Sequence, residues 1–117
     1  MSRQIKTIHR LAGISLCSAV GLGAAGQHYV RHEADDFQFN AYQTANRYHY
    51  YHSFALFTAQ YATYPVVTAS IFMLGMALFC TGGYCTGLGL LGEKDPKLVA
   101  MPVGGISFMI GWLTHVL

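Results

Sequence analysis

The chain has 117 residues, of which 53% are apolar and only 10% carry a formal charge, 7 Lys+Arg and 5 Asp+Glu. A soluble chain carries roughly 25% charged residues, and a domain this small needs polar groups to cover its surface, so the composition excludes an ordinary soluble domain, a disordered chain and a disulfide scaffold. A net charge of +2 without a long basic run gives no case for nucleic acid, and the membrane is the environment that fits.

The positions of the charges then divide the chain. None occurs between Arg10 and Arg31, between Arg47 and Glu93, or after Lys97. A bilayer core needs about 20 helical residues; the first and last gaps suit one span each, and the middle gap suits two, divided at Tyr61–Pro65, where proline breaks or starts a helix. The spans expected are about 9–30, 48–63, 66–90 and 98–117, within a single domain covering 1–117. The fold class expected is an all-α integral membrane protein, four transmembrane helices with both termini on one side.

The N-terminal decapeptide MSRQIKTIHR is basic, lacks acids and is loosely like a mitochondrial address. In the first span Ala12, Ser15, Ala19 and Gly26 share a face, and Gly13, Gly21 and Ala24 lie on the other side, so this helix is expected to pack on two sides, within the bundle or against a partner. The only long polar stretch, Glu33–Arg47, reads as a short helix at the interface, started by Asp35 or Asp36 and leading into the second span; a polar loop is the alternative. Tyr48, Tyr50 and Tyr51 open that span and Tyr61 and Tyr64 close it, about 25 Å apart, as two interfacial belts would be. His49, His52, Ser53, Gln60 and Thr63 fall within a sector about 100° wide and form a polar stripe that faces the bundle. Gly75, Gly82 and Gly83 in the third span and Gly104, Ser107 and Gly111 in the fourth are expected to let neighbouring backbones approach closely. Glu93–Lys97 is a short charged connection, with Pro96 near the start of the last span. Three basic residues on the N-terminal face against four on the other do not set an orientation.

Chemistry is sparse. Six histidines are present, but His49 and His52 have no carboxylate on the same turn, and no HExxH or Glu-x-x-His pair occurs. No metal site and no cofactor are expected; a His-based site would draw on His28, His49 and His52. Cys17, Cys80 and Cys85 have no metal-ligand spacing and read as small packing residues. No P-loop, GxSxG or dinucleotide fingerprint is present, and no span carries an acid, which argues against an enzyme and against a cation pump.

Gly26-Gln27-His28, the run Ala45–Leu56 (ANRYHYYHSFAL), Gly75–Tyr84 (GMALFCTGGY) and Pro102–Trp112 (PVGGISFMIGW) together resemble the transmembrane protein 256 family through nearly the whole chain, the last segment most specifically. Departures are Tyr29, where glycine usually follows the histidine, and Cys80–Gly83, where serine and glycine are usual. The resemblance implies four spans and, for a eukaryotic member, a mitochondrial membrane, but no activity. The function expected is therefore a non-catalytic accessory subunit of an inner mitochondrial membrane assembly, a respiratory-chain complex, in contact with lipid and with other membrane subunits. The alternatives are a His-based metal- or haem-binding redox protein and a small transporter or channel.

Overall fold

The computed structural model describes residues 1–117, and every regular element in it is helical. Four helices run in chain order: α1, Arg3–Glu33; α2, Asp36–Thr58 closed by a tight turn at Ala59–Tyr61; α3, Pro65–Gly87; and α4, Pro96–Val116. Each boundary has a local cause. Ser2 accepts from the Ile5 amide at the start of α1. Asp35 and Gln38 form a reciprocal capping box at the start of α2. Pro65 and Pro96 occupy first helical positions, where a missing N–H costs nothing, and Gly89 turns the chain out of α3 with φ +78°. Asp35→Ala is expected to cost about 1 kcal/mol, read as faster amide exchange confined to the first turn of α2.

Three helices, α1, α3 and α4, are long and apolar enough to cross a membrane. The second is not, because it carries Asn40, Gln43, Asn46, Arg47, His49 and His52 along its length. No separate short helix lies between α1 and α2. The polar segment 36–47 is continuous with the apolar part that follows, since nothing from Asp36 to Thr58 is Gly or Pro and so nothing interrupts the helix. Arg47 is consequently mid-helix, whereas the sequence placed it in a connection. Two helices contain a widened, π-type turn, Gly26–Val30 in α1 and Met76–Cys80 in α3.

The helices alternate in direction, up-down-up-down. Tyr42 meets Gly26 and Gly87, His49 meets Ser15 and Tyr84, and Ser53 meets Met76. At the other end Thr68 meets Thr114, and Thr63 donates to the Leu117 carbonyl at 2.7 Å. The termini and the 62–64 turn therefore share one face, and the Ala34–Asp35 and 88–95 connections share the other. Helices α2 and α3 form the centre, with α1 and α4 on the flanks. The result is flat, 45 × 27 × 17 Å, and its long dimension matches the roughly 40–45 Å of a bilayer with its headgroups.

Candidate functional site

The polar residues of α2 leave the helix along two seams. Tyr42, Asn46, His49 and Ser53 recur at i, i+4, i+7 and i+11, which places them on one face toward α1 and α3. Asn46 Nδ2 donates to the Ala19 carbonyl (2.9 Å) and to the Tyr84 hydroxyl (3.1 Å). Tyr84 is 2.8 Å from His49 Nδ1, and His49 Nε2 is 3.1 Å from Ser15 Oγ. Ser15 is hydrogen-bonded to Ser53, whose hydroxyl donates to the His49 carbonyl at 2.6 Å.

The donor count fixes the direction of this chain. Asn46 Nδ2 can only donate, so the Tyr84 hydroxyl accepts from it and in turn donates a hydrogen bond to His49 Nδ1. His49 must then carry its proton on Nε2 and donate to Ser15, which donates to Ser53. Every hydroxyl and both imidazole nitrogens are spent within the protein. A half-buried network whose hydroxyl and imidazole protons are all used in this way fixes helix register and leaves none of those protons over for a ligand.

The second seam faces α4. Trp112 Nε1 donates to His52 Nε2 at 3.1 Å, so His52 holds its proton on Nδ1 and donates to the Tyr48 carbonyl at 2.9 Å. Its ring stacks on Phe108 with 3.5 Å between centroids. The two histidines thus point to different helices with opposite tautomers, and each has both nitrogens engaged. His28 is exposed near the end of α1, and no group of three or more His, Cys, Asp or Glu side chains is placed to hold a metal ion.

The expected single stripe therefore divides. His49 and Ser53 lie on the first seam and His52 on the second. Gln60 sits in the closing turn, its side chain donating to the Phe57 carbonyl, and Thr63 lies beyond the helix, tied to the chain end. The helix stops at Thr58, so Gln60 and Thr63 do not continue its face. Cys80 is buried, Cys85 half-buried and Cys17 exposed, so Cys17 is on the outer surface and not in the packing.

The nine expected packing positions all meet neighbouring helices. A Cβ on Gly26 would lie 2.6 Å from the Tyr42 ring, on Gly75 2.5 Å from Phe108, on Gly82 2.7 Å from Met101, on Gly83 2.6 Å from Ala45 and on Gly111 2.6 Å from Phe72. On Gly104 it would lie 2.6 Å from the Phe79 backbone nitrogen. Ala19 is fully buried, Ser15 joins the network, and Ser107 donates to the Ile71 carbonyl at 2.8 Å. Sequence reasoning passed over Tyr42, Asn46, Tyr84 and Gly87. Tyr42 is 2% exposed, donates to the Leu22 carbonyl at 2.6 Å and lies 2.5 Å from where a Gly87 Cβ would be. The available signal was the i, i+4, i+7, i+11 spacing from Tyr42 to Ser53, hidden by the reading of 33–47 as an interfacial piece.

The outer side of α1 is different. Gly13, Cys17, Gly21 and Ala24 are exposed, and a Cβ on Gly13 or Gly21 would meet nothing within 4 Å.

Comparison with known proteins adds a family. The profile described as "Protein of unknown function (DUF423)" matches residues 22–105. The UPF0382 membrane protein YwdK of Bacillus subtilis (strain 168) is 31% identical over 113 residues, covering 88% of this chain and 87% of that protein. No solved structure matches. These matches bear out a small membrane-protein family, although they do not single out the transmembrane protein 256 family by name.

Proposed function

The chain belongs to the DUF423 family, and from that premise we propose that it is a four-span, non-catalytic accessory subunit of a larger membrane assembly. In the finer form of this proposal the assembly is a respiratory-chain complex of the inner mitochondrial membrane. The observation that carries the reading is the outer face of α1, where Gly13, Cys17 and Gly21 recur every fourth residue, exposed and with open space before both glycines. Within a bilayer, where lipid tails are as apolar as leucine, helices associate by close backbone approach, and a small-xxx-small face serves that approach. The same spacing inside the bundle is already filled; on this side it is free. Exposed Ile14 and Val20 flank it, and α4 on the opposite flank exposes Val103, Ile106, Met109 and Leu113 to lipid.

Passage of α2 through the membrane is part of the proposal. Its mean hydropathy is lowered in part by Asn46, His49 and His52, which are hydrogen-bonded to α1, α3 and α4, and polar groups satisfied inside a bundle do not face hydrocarbon. Support for the mitochondrial setting is the basic, acid-free N-terminus and the family resemblance; the Bacillus relative places the family in bacteria as well.

Gly21→Leu is expected to leave the fold intact, because Gly21 is exposed and a Cβ there would meet no neighbouring helix within 4 Å, and to release the protein from its assembly. Membranes solubilised in mild detergent and resolved on a non-denaturing gel check this: the wild-type chain should migrate at high mass and the variant as a free species. A wild-type chain that runs only at its own low mass overturns the proposal.

A further inference from the structure

A groove of about 260 Å³ opens between α1 and α2, lined by Gln27 from α1 and by Gln43, Asn46 and Arg47 from α2. Gly23 and Gly26 keep its α1 wall free of side chains, and the Tyr42 ring packed on Gly26 closes its floor. The donors here are unequally used. The Asn46 amide is spent on Ala19 and Tyr84. The Gln27 and Gln43 amides bond to nothing in the protein, and Arg47 gives a single bond, to Thr44 Oγ1 of its own helix at 3.2 Å. A guanidinium carries five N–H donors in a planar fork and cannot discharge itself by losing a proton. The nearest acids in sequence, Asp36 and Asp35, lie at the far start of α2, and the Asp35 carboxylate is occupied in capping.

Position sharpens the chemistry. Arg47 sits mid-way along Asp36–Thr58, about 16 Å from its start. In the four-span arrangement this is below the headgroup layer, and the aliphatic stem lets the guanidinium reach back toward it. We propose that this groove binds the phosphate group of a phospholipid, with Arg47 as the forked donor and the Gln27 and Gln43 amides completing the shell. A fork matches phosphate through two parallel N–H···O bonds, and the open side of the groove leaves the acyl chains in the bilayer. The depth argument rests on the four-span reading; the assay below does not, since it reads the groove in detergent.

The full chain, purified in mild detergent, is loaded with phosphatidylglycerol or with a phosphate-free galactosyl diacylglycerol of the same acyl chains. Retained lipid is then counted by native mass spectrometry. One phosphatidylglycerol should be retained in preference to the galactolipid. Arg47→Gln should lower its occupancy about tenfold, Arg47→Lys should lower it less, and Lys6→Gln, a charge removed at the opposite end of α1, should leave it unchanged. Arg47 is exposed, so the thermal midpoint of the lipid-free variant should match the wild type. Equal retention of both lipids, or undiminished retention by Arg47→Gln, overturns the proposal. Displacement of the lipid by excess inorganic phosphate would assign the groove to a free anion and overturn the lipid.

Discussion

Replacing Tyr42 with alanine is expected to destabilise the detergent-solubilised protein by about 3 kcal/mol or more, the range for emptying a fully packed aromatic site. The ring is 2% exposed and inserted between Gly26 of α1 and Gly87 of α3, with Tyr84 edge-on at 4.9 Å between centroids. Because both flanking positions are glycine, neither has a side chain to fill the space the ring vacates. Three helices would lose their common contact at once. Tyr42→Phe separates packing from polarity. It keeps the ring and forfeits only the 2.6 Å bond to the Leu22 carbonyl, and interhelical hydrogen bonds in membranes average about 0.6 kcal/mol. Unfolding followed by circular dichroism against increasing SDS should therefore rank wild type, Tyr42→Phe and Tyr42→Ala, with the larger step second. Equal losses in the two variants would mean that the hydroxyl, and not the ring, holds α1 and α3 to α2.

Gly104→Ala is expected to cost about 1–3 kcal/mol, as overpacking of a rigid contact does. A single methyl there would stand 2.6 Å from the Phe79 backbone nitrogen and 2.9 Å from the Gly75 carbonyl oxygen. Backbone cannot rotate aside as a side chain can, so α3 and α4 must separate along their length. The adjacent residue supplies the control: a methyl on Gly105 has its nearest neighbour 4.0 Å away, at Phe79. Gly105→Ala should fall within about 0.5 kcal/mol of the wild type. Thermal melts of the two variants in the same detergent check the contrast, and similar midpoints would count against close approach as what joins these helices.

The sequence made the ends of elements and the inward glycines legible because both depend on local chemistry. Pro65 and Pro96 start helices through their own covalent geometry, Asp35 caps through its own carboxylate, and Gly104 or Gly75 announces a close approach by having no side chain. What escaped depends on partners distant in the chain. Asn46 looks like a surface residue until Ala19 and Tyr84 are brought beside it. Tyr42 stands among Asn40, Gln43 and Thr44, neighbours that conceal its burial. The division of one polar stripe into two seams likewise needed the places of α1 and α4, which no spacing within α2 specifies. The widened turns at Gly26–Val30 and Met76–Cys80 carry no distinctive residue pattern by which a sequence would announce them.

The hydrogen-bond partners of α2 also set an order for biogenesis. Tyr42, Asn46 and His49 bond to Leu22, Ala19 and Ser15, all made earlier on the ribosome, so the first seam finds α1 already waiting when α2 emerges. His52 and Thr58 bond to Trp112 and His115, which are synthesised last. In the four-span arrangement α2 would therefore enter the bilayer as a hairpin with α1, and its second seam would stay open to the insertion machinery until translation ends. Truncation before α4 would strand that seam: His52 and Thr58 would keep their bonds to the Tyr48 and Ala55 carbonyls within α2 and lose Trp112 and His115 as partners.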